Sequence, residues 1–245
     1  SDLTVCPVPE RTGAMKVVTS ALELPSACAF VPTMGALHAG HGSLFTLASE
    51  YSNEVVASIF VNPLQFDNKD DLEKYPRTPE KDIELAEKYG VTYLWLPEYE
   101  EIYPKQYQQL KAGPISKMYE GSSRPGHFDG VVTVVHRLFD LVKPKVAIFG
   151  EKDFQQLFLI KQMVKEFNLP IEIIAAPLIR ESDGLAMSSR NVRLDESGRK
   201  SSLIISKSLN ENSVELMQQV LATEPGFKLD YLEIIDEDTF SPATS

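Results

Sequence analysis

Two histidines, His38 and His41, bracket Ala39 and Gly40 within the run Pro-Thr-Met-Gly-Ala-Leu-His-Ala-Gly-His-Gly-Ser-Leu over residues 32–44. An apolar run from Cys28 to Val31 precedes them, and a helix-like run from Ser43 to Glu50 follows. A strand, a tight turn and a helix start make an anion site, because free backbone N–H groups and the positive helix end face the turn. Gly40 lets a phosphate approach the backbone closely. The two imidazoles add donors that can follow charge as it develops on a leaving phosphate. The chemistry suggested is nucleotide binding with attack at a phosphorus atom. Zinc ligation competes with that reading, but no nearby acid or cysteine completes a tetrahedral set.

Three further clusters suit the same ligand. Gly150-Glu-Lys-Asp153 follows an apolar run and opens a helix, which is where open α/β sheets bind ligands. Lys152 can act as a point charge on a phosphate. Asp153 either caps the helix or accepts hydrogen bonds from ribose hydroxyls. Met187-Ser-Ser-Arg190 combines two hydroxyls with a guanidinium, a good grip for a polyphosphate and otherwise an ordinary polar linker. Asn62-Pro-Leu-Gln-Phe66 offers the Gln65 amide, which suits a small hydroxy acid. Of Gln155 and Gln156, one should point to the same crevice.

The elements that position these residues alternate. Strands are expected at Cys28–Thr33, Val55–Val61, Val91–Leu96, Val146–Phe149 and Ile171–Ala175. A helix is expected over Ser43–Tyr51, and another from the N-cap Thr78 and Pro79 to a stop at Gly90. Val131, Val134, Val135, Leu138, Phe139 and Val142 form a helical stripe that Asp129 could cap and Pro144 ends. A further helix runs from Asp153 to Phe167. Such alternation implies a parallel sheet with right-handed crossovers. After Pro177 the chain turns polar, then reads as a helix over Ser202–Val220 and a strand over Leu229–Ile235. The expected domains are residues 1–178, an α/β unit, and 179–245, a smaller α+β unit.

Bulk properties narrow the class. The chain has 245 residues, 43% hydrophobic and 24% charged, an ordinary globular composition. Its net charge of −11 argues against a large nucleic-acid footprint. Between Arg180 and Lys200, however, five bases face four acids, a local balance that suits a small anionic ligand. No apolar run approaches a membrane span, and Ser1–Glu10 lacks a signal pattern. Cys6 and Cys28 are the only cysteines, so a reducing cytoplasm is expected, with Cys28 a small buried residue.

Taken together these segments resemble the pantoate–β-alanine ligase family. Val-Pro-Thr-Met-Gly-Ala-Leu-His-x-Gly-His, Ile-Phe-Val-Asn-Pro-Leu-Gln-Phe, Phe-Gly-Glu-Lys-Asp-x-Gln-Gln and Asp-Gly-Leu-Ala-Met-Ser-Ser-Arg-Asn occur in the family's order. The resemblance implies a Rossmann-like N-terminal domain, a C-terminal lid and a homodimer. It implies that pantoate attacks the α-phosphorus of ATP, magnesium accompanying the nucleotide, to give pantoyl adenylate and pyrophosphate. The amine of β-alanine then displaces AMP, giving pantothenate. By matching position, Met34, Gly35, Ala36, Leu37, His38, Ala39, Gly40 and His41 would line the ATP site, with His41 as proton donor and His38 on the phosphates. Gly150, Glu151, Lys152 and Asp153 would hold ATP, with Lys152 on phosphate and Asp153 on ribose. Ile179 would meet the adenine end, and Met187, Ser188, Ser189 and Arg190 the triphosphate. The acting set would be His41, His38, Lys152 and Arg190. Gln65 and Gln156 would bind pantoate, Gln65 also lying near β-alanine. Asn62 matches another active-site position, and Phe60 and Met34 could cover pantoate's methyl groups. No protein metal ligands are implied.

Two departures stand out. Gly42 replaces the family's larger apolar residue, which would weaken the helix start by about 0.5–1 kcal/mol. The chain closes at Ser245, before the family's Arg-Leu-Ile-Asp-Asn-like run, so a shortened lid is expected. Two other functions compete. One is a nucleotidylyltransferase, which releases pyrophosphate but never AMP; the paired amides disfavour it. The other is a non-catalytic nucleotide binder, against which the full set of candidate residues argues. The Gly121–Gly130 loop is a candidate gate.

Overall fold

The structure, a computed structural model, describes residues 13–243; Cys6 and the Ser1–Glu10 segment lie outside them. Among the described residues six strands form one all-parallel sheet: β1 (Lys16–Val18), β2 (Ala29–Thr33), β3 (Val55–Ile59), β4 (Tyr93–Trp95), β5 (Val146–Gly150) and β6 (Glu172–Ala176). Their order is β1-β4-β3-β2-β5-β6. The central strands are buried on both faces, which is why they read as unbroken apolar runs rather than alternating ones.

The order of the strands fixes where a ligand must go. From β2 the chain winds outward to β3 and β4, then returns to place β5 on the other side of β2. Ala29 pairs with Val146 and Phe30 with Ala147 across that seam. Connections therefore leave β2 and β5 in opposite directions, and a crevice opens at their C-terminal ends. The histidine turn follows β2, and Gly150 ends β5, so the two most informative motifs flank one crevice.

Helices cover both faces. They are α1 (Ala39–Tyr51), α2 (Lys69–Glu73), α3 (Pro79–Lys88), α4 (Tyr99–Ile102), α5 (Glu120–Ser123), α6 (His127–Val142) and α7 (Phe154–Glu166). In α6 the whole predicted stripe is buried. On one side of the sheet, Phe30, Trp95, Phe139 and Ile160 belong to a single core. Phe45, Val55, Leu94 and Ile148 form the core on the other. Past β6 come α8 (Glu196–Ser208) and α9 (Val214–Leu221).

Several local expectations are corrected. The helix expected over Ser202–Val220 is two, because Ser213 caps a new helix through the Leu216 N–H. No strand forms over Leu229–Ile235; only an isolated bridge joins Ile235 to Pro242, without a partner strand to extend it. Asp129 does not cap α6. Gly126, in left-handed conformation, precedes the helix, and Asp129 accepts from the Ala112 N–H at 2.9 Å. Gly121–Gly130 is mostly helical, holding part of α5 and the first turn of α6. Cys28 is buried and free, its thiol pushed up to about 12 by burial. No helix among the described residues is long and apolar enough to cross a membrane.

Candidate active site

The turn after β2 is built by hydrogen bonds to residues far along the chain. Gly35 and Ala36 both have positive φ, +79° and +41°. The non-glycine strain at Ala36 persists because the turn is held on several sides. The Thr33 hydroxyl accepts from the Gly35 N–H, and the Ser189 hydroxyl donates to the Ala36 carbonyl at 3.0 Å. Asp82, only 2% exposed, accepts from the Leu37 N–H at 2.7 Å and the Thr78 hydroxyl at 2.9 Å. No motif in the sequence points to Asp82, since it sits in α3 and only the fold brings it to this turn.

That turn delivers the histidines in a defined protonation state. His38 is the N-cap of α1, and its Nδ1 accepts from the Gly40 N–H at 3.1 Å. His41 lies inside the first helical turn, and its Nδ1 accepts from the His38 N–H at 3.2 Å. An Nδ1 that accepts holds no proton, so each neutral ring carries its hydrogen on Nε2. The ring centroids are 4.1 Å apart. Burial pushes both imidazoles down, His41 to about 3, with His38 and Lys152 lowering it further. At neutral pH the pair is a set of neutral N–H donors.

Glycine matters here for space within the protein. A Cβ on Gly40 would lie 2.8 Å from the His38 ring and 3.3 Å from Met187 Cβ, so the capping imidazole itself fills the gap. A Cβ on Gly42 would lie 2.6 Å from the Tyr89 ring. The expectation that Gly42 merely weakens the helix start is corrected: α1 can approach Tyr89 only where no side chain intervenes.

The opposite wall comes from the ends of β3 and β5. Beyond β3, Asn62 caps a single 3₁₀ turn, Pro63–Gln65. Asn62 is 1% exposed, and its Nδ2 donates to Gln65 Oε1 at 3.0 Å and to the Gly130 carbonyl at 3.1 Å. His127 Nδ1 donates to the Gln65 carbonyl at 2.7 Å. Beyond β5, a 3₁₀ turn carries Glu151, Lys152 and Asp153 into α7. Asp153 precedes α7 but makes no capping bond. Instead its carboxylate lies 3.3 Å from Lys152 Nζ. Gln155 turns away and donates to the Ile115 and Met118 carbonyls, leaving Gln156 to face the crevice.

The polar segment after β6 folds over the cleft. The Met187 N–H donates to the Ile179 carbonyl, and the Ser188 hydroxyl accepts from the Arg190 N–H. Arg190 donates to Asp71 at 2.9 Å and lies over the Tyr75 ring, 5.3 Å from its centroid. Arg193 donates to the other Asp71 oxygen at 2.6 Å. One carboxylate on α2 thus ties two arginines of the C-terminal segment. Asp71 and Tyr75 are not candidates on sequence grounds.

The resulting cleft, about 240 Å³, brings together Met34, His38, Gly40, His41, Phe60, Asn62, Gln65, Gly150, Lys152, Asp153 and Gln156. Ile179, Met187, Ser188, Ser189 and Arg190 also line it. Gly35, Ala36, Leu37 and Ala39 do not line it; they form the turn and helix start behind it. Glu151 is exposed and also lies off the cleft. Neutral donors and two cations face one wall of amides, a pattern that can hold an anionic chain at one end and a small polar acid at the other.

A parallel sheet with its site at the switch point of the strands defines a Rossmann-like nucleotide-using α/β enzyme. The sequence profile of pantoate–β-alanine ligase matches residues 9–245. The pantothenate synthetase of Acidothermus cellulolyticus is 46% identical over 98% of this chain and 82% of its own length. The crystal structure of pantothenate synthetase from Thermus thermophilus superposes with a TM-score of 0.88 at 41% identity, covering 94% of this chain and 90% of that one. The pantoate–β-alanine ligase of Francisella tularensis, solved with β,γ-ATP and β-alanine, gives 0.80 at 38% identity, covering 91% and 90%. The chain belongs to the pantoate–β-alanine ligase family: it is an ATP-binding ligase of pantothenate biosynthesis.

Proposed function

We propose that this chain joins pantoate to β-alanine in two steps through pantoyl adenylate. In the first, a pantoate carboxylate oxygen attacks the α-phosphorus of ATP and the bond to pyrophosphate breaks. In the second, the β-alanine amine, having lost a proton, attacks the acyl carbon. The acyl–oxygen bond breaks and AMP leaves with the shared oxygen.

The observation that carries this reading is the histidine pair, with both Nδ1 atoms occupied by backbone donors and both rings lining the cleft. Each imidazole offers Nε2–H to charge developing on the departing pyrophosphate. For His41 this replaces the proton-donor role that the resemblance implies, because a ring with a pKa near 3 holds no spare proton at neutral pH. Lys152 and Arg190 neutralise phosphate oxygens, and Ser188 and Ser189 add neutral donors. Asp153 is free of capping duty and accepts from ribose hydroxyls. Met34, His38, Gly40 and His41 on one side and Gly150, Lys152 and Asp153 on the other enclose the nucleotide, with Ile179 at the adenine end. Gln65 and Gln156 hold pantoate, Asn62 backs the Gln65 amide from behind because its own donors and acceptors are all engaged within the protein, and Phe60 and Met34 cover the methyl groups. Neither step uses a covalent enzyme intermediate, so placement and charge stabilisation supply the acceleration.

Magnesium enters as part of the substrate. Among the described residues no group of three or more His, Cys, Asp or Glu side chains could cage a metal. Phosphate oxygens and waters are the usual ligands of an ion that arrives on a nucleotide. Residues 179–245 act as a lid over residues 1–178, tied down by the Asp71–Arg190 and Asp71–Arg193 pairs. The working unit is a homodimer in the cytoplasm.

An isotope experiment tests the intermediate. Pantoate labelled with heavy oxygen in its carboxylate should transfer one label to AMP during turnover. Unlabelled AMP would exclude the adenylate.

A further inference from the structure

Gln65 is useful to a carboxylate or hydroxyl ligand only if its amide presents the correct end, and the fold contains a device that decides which end that is. Asn62 Nδ2 is held as a donor by the Gly130 carbonyl, which can only accept. Asn62 Oδ1 is held as an acceptor by the Leu64 N–H at 3.3 Å, which can only donate. The backbone thus fixes the Asn62 amide independently of how its atoms are assigned. Because Nδ2 donates to Gln65, the Gln65 atom it meets must be the oxygen. Gln65 Nε2 is thereby left for whatever occupies the cleft.

The shortest of these hydrogen bonds comes from outside the cleft. The Tyr103 hydroxyl donates to Asn62 Oδ1 at 2.6 Å. Tyr103 is 4% exposed and does not line the cleft. Its ring is clamped by Tyr107 at 4.6 Å, Tyr99 at 5.2 Å and Phe60 at 6.1 Å between centroids. The segment carrying it is pinned to α6 by Arg137 Nε, which donates to the Ile102 carbonyl at 2.8 Å. The backbone partners of Asn62 set the sense of the hydrogen-bond chain, and the clamped Tyr103 hydroxyl, held in one position, fixes where the Asn62 amide sits.

We propose that Tyr103 is a positioning residue for the acid substrate: through Asn62 it orients the Gln65 amide so that Nε2–H points at an acceptor oxygen of pantoate. The inference rests on the ligase reading given above. It separates Tyr103 from the nucleotide machinery, because the chain Tyr103–Asn62–Gln65 touches no residue placed on ATP. Its consequence is selective. Loss of the hydroxyl should weaken use of the acid and leave use of the nucleotide alone.

The test is Tyr103→Phe, which keeps the ring, assayed for pantoate-dependent pyrophosphate release. KM for pantoate should rise about 5- to 20-fold, the effect of one orienting hydrogen bond, with KM for ATP unchanged. A double-mutant cycle with Gln65→Ala separates orientation from general loosening. If Tyr103 acts through Gln65, adding Tyr103→Phe to Gln65→Ala raises the pantoate KM no further. Additive effects, or KM values for pantoate and ATP that rise together, would overturn the proposal. So would an unchanged pantoate KM in a Tyr103→Phe protein whose wild type is active. A wild type that releases no pantoate-dependent pyrophosphate would overturn the ligase reading and this inference with it.

Discussion

The backbone N–H of His38 donates to Nδ1 of His41 across 3.2 Å, so the first histidine of the pair sets the tautomer of the second. His38 in turn has its own Nδ1 occupied by Gly40. The spacing of the motif is therefore a consequence of helix-capping geometry. The N-cap and the third helical residue exchange hydrogen bonds, and two imidazoles perform the exchange that Ser and Glu perform in an ordinary capping box.

This arrangement predicts a particular pH response. His41 is lowered from 6.5 to about 3, chiefly by burial. As pH falls, the unfolded chain takes up that proton before the folded one does. The contribution is thus fully present above pH 6.5 and is lost as pH falls toward the folded value of about 3. Tm should decline from about pH 6.5 to about pH 4.5, and His41→Gln should decline less steeply. Parallel curves for the two proteins would show that His41 titrates normally in the folded state.

Lys152 is half-exposed at the mouth of the cleft, beside Asp153. Lys152→Ala should lower kcat by roughly 10²–10³-fold, as expected for loss of one preorganised charge donor. Stability should change little, because the pair is exposed to solvent. Steady-state kinetics beside a thermal melt make the comparison. Turnover near that of wild type would remove Lys152 from the phosphate site.

Asp82 should couple the turn to stability and to rate. Asp82→Ala leaves the partly buried Leu37 N–H and Thr78 hydroxyl without their acceptor, at a cost of about 1–3 kcal/mol. Asp82→Asn keeps an acceptor oxygen and should recover more than half of that loss. Urea denaturation of both variants gives the comparison, and equal losses would show that only the charge matters. The Ala variant should also turn over more slowly, since Ala36 and His38 lose their support.

Gly42→Ala should destabilise the protein by about 1–3 kcal/mol, the usual cost of overpacking a tight contact. That sign is opposite to the gain expected from helix propensity alone. Combining it with Tyr89→Leu, which removes the ring that the new Cβ would strike, should restore most of the loss. Purely additive melting shifts would show that the ring contact is not the cause.

Local physics makes the frame of this molecule legible. Buried parallel strands such as Val55–Ile59 announce themselves as apolar runs, and the period of Val131 through Val142 marks a buried helix face. Lys16–Val18 is invisible in the sequence because three residues carry no period. Leu229–Ile235 misleads because alternation signals a strand only where another strand is available to pair with it. The cleft residues are legible because they cluster in motifs at strand ends. Asp82 and Tyr103 are not, since each acts on a residue about forty positions away and stands in a segment with no chemical pattern of its own. Tautomers are equally hidden, because they depend on backbone N–H directions that only the folded helix start defines.

The most direct test follows AMP and pyrophosphate when the purified protein is given ATP, magnesium and pantoate, with and without β-alanine. Sustained AMP release only when β-alanine is present, matched by an equal amount of pantothenate, is the predicted result. Sustained pyrophosphate release without AMP, whatever amine is supplied, would mean that the adenylate stays on the product and would contradict the ligase account.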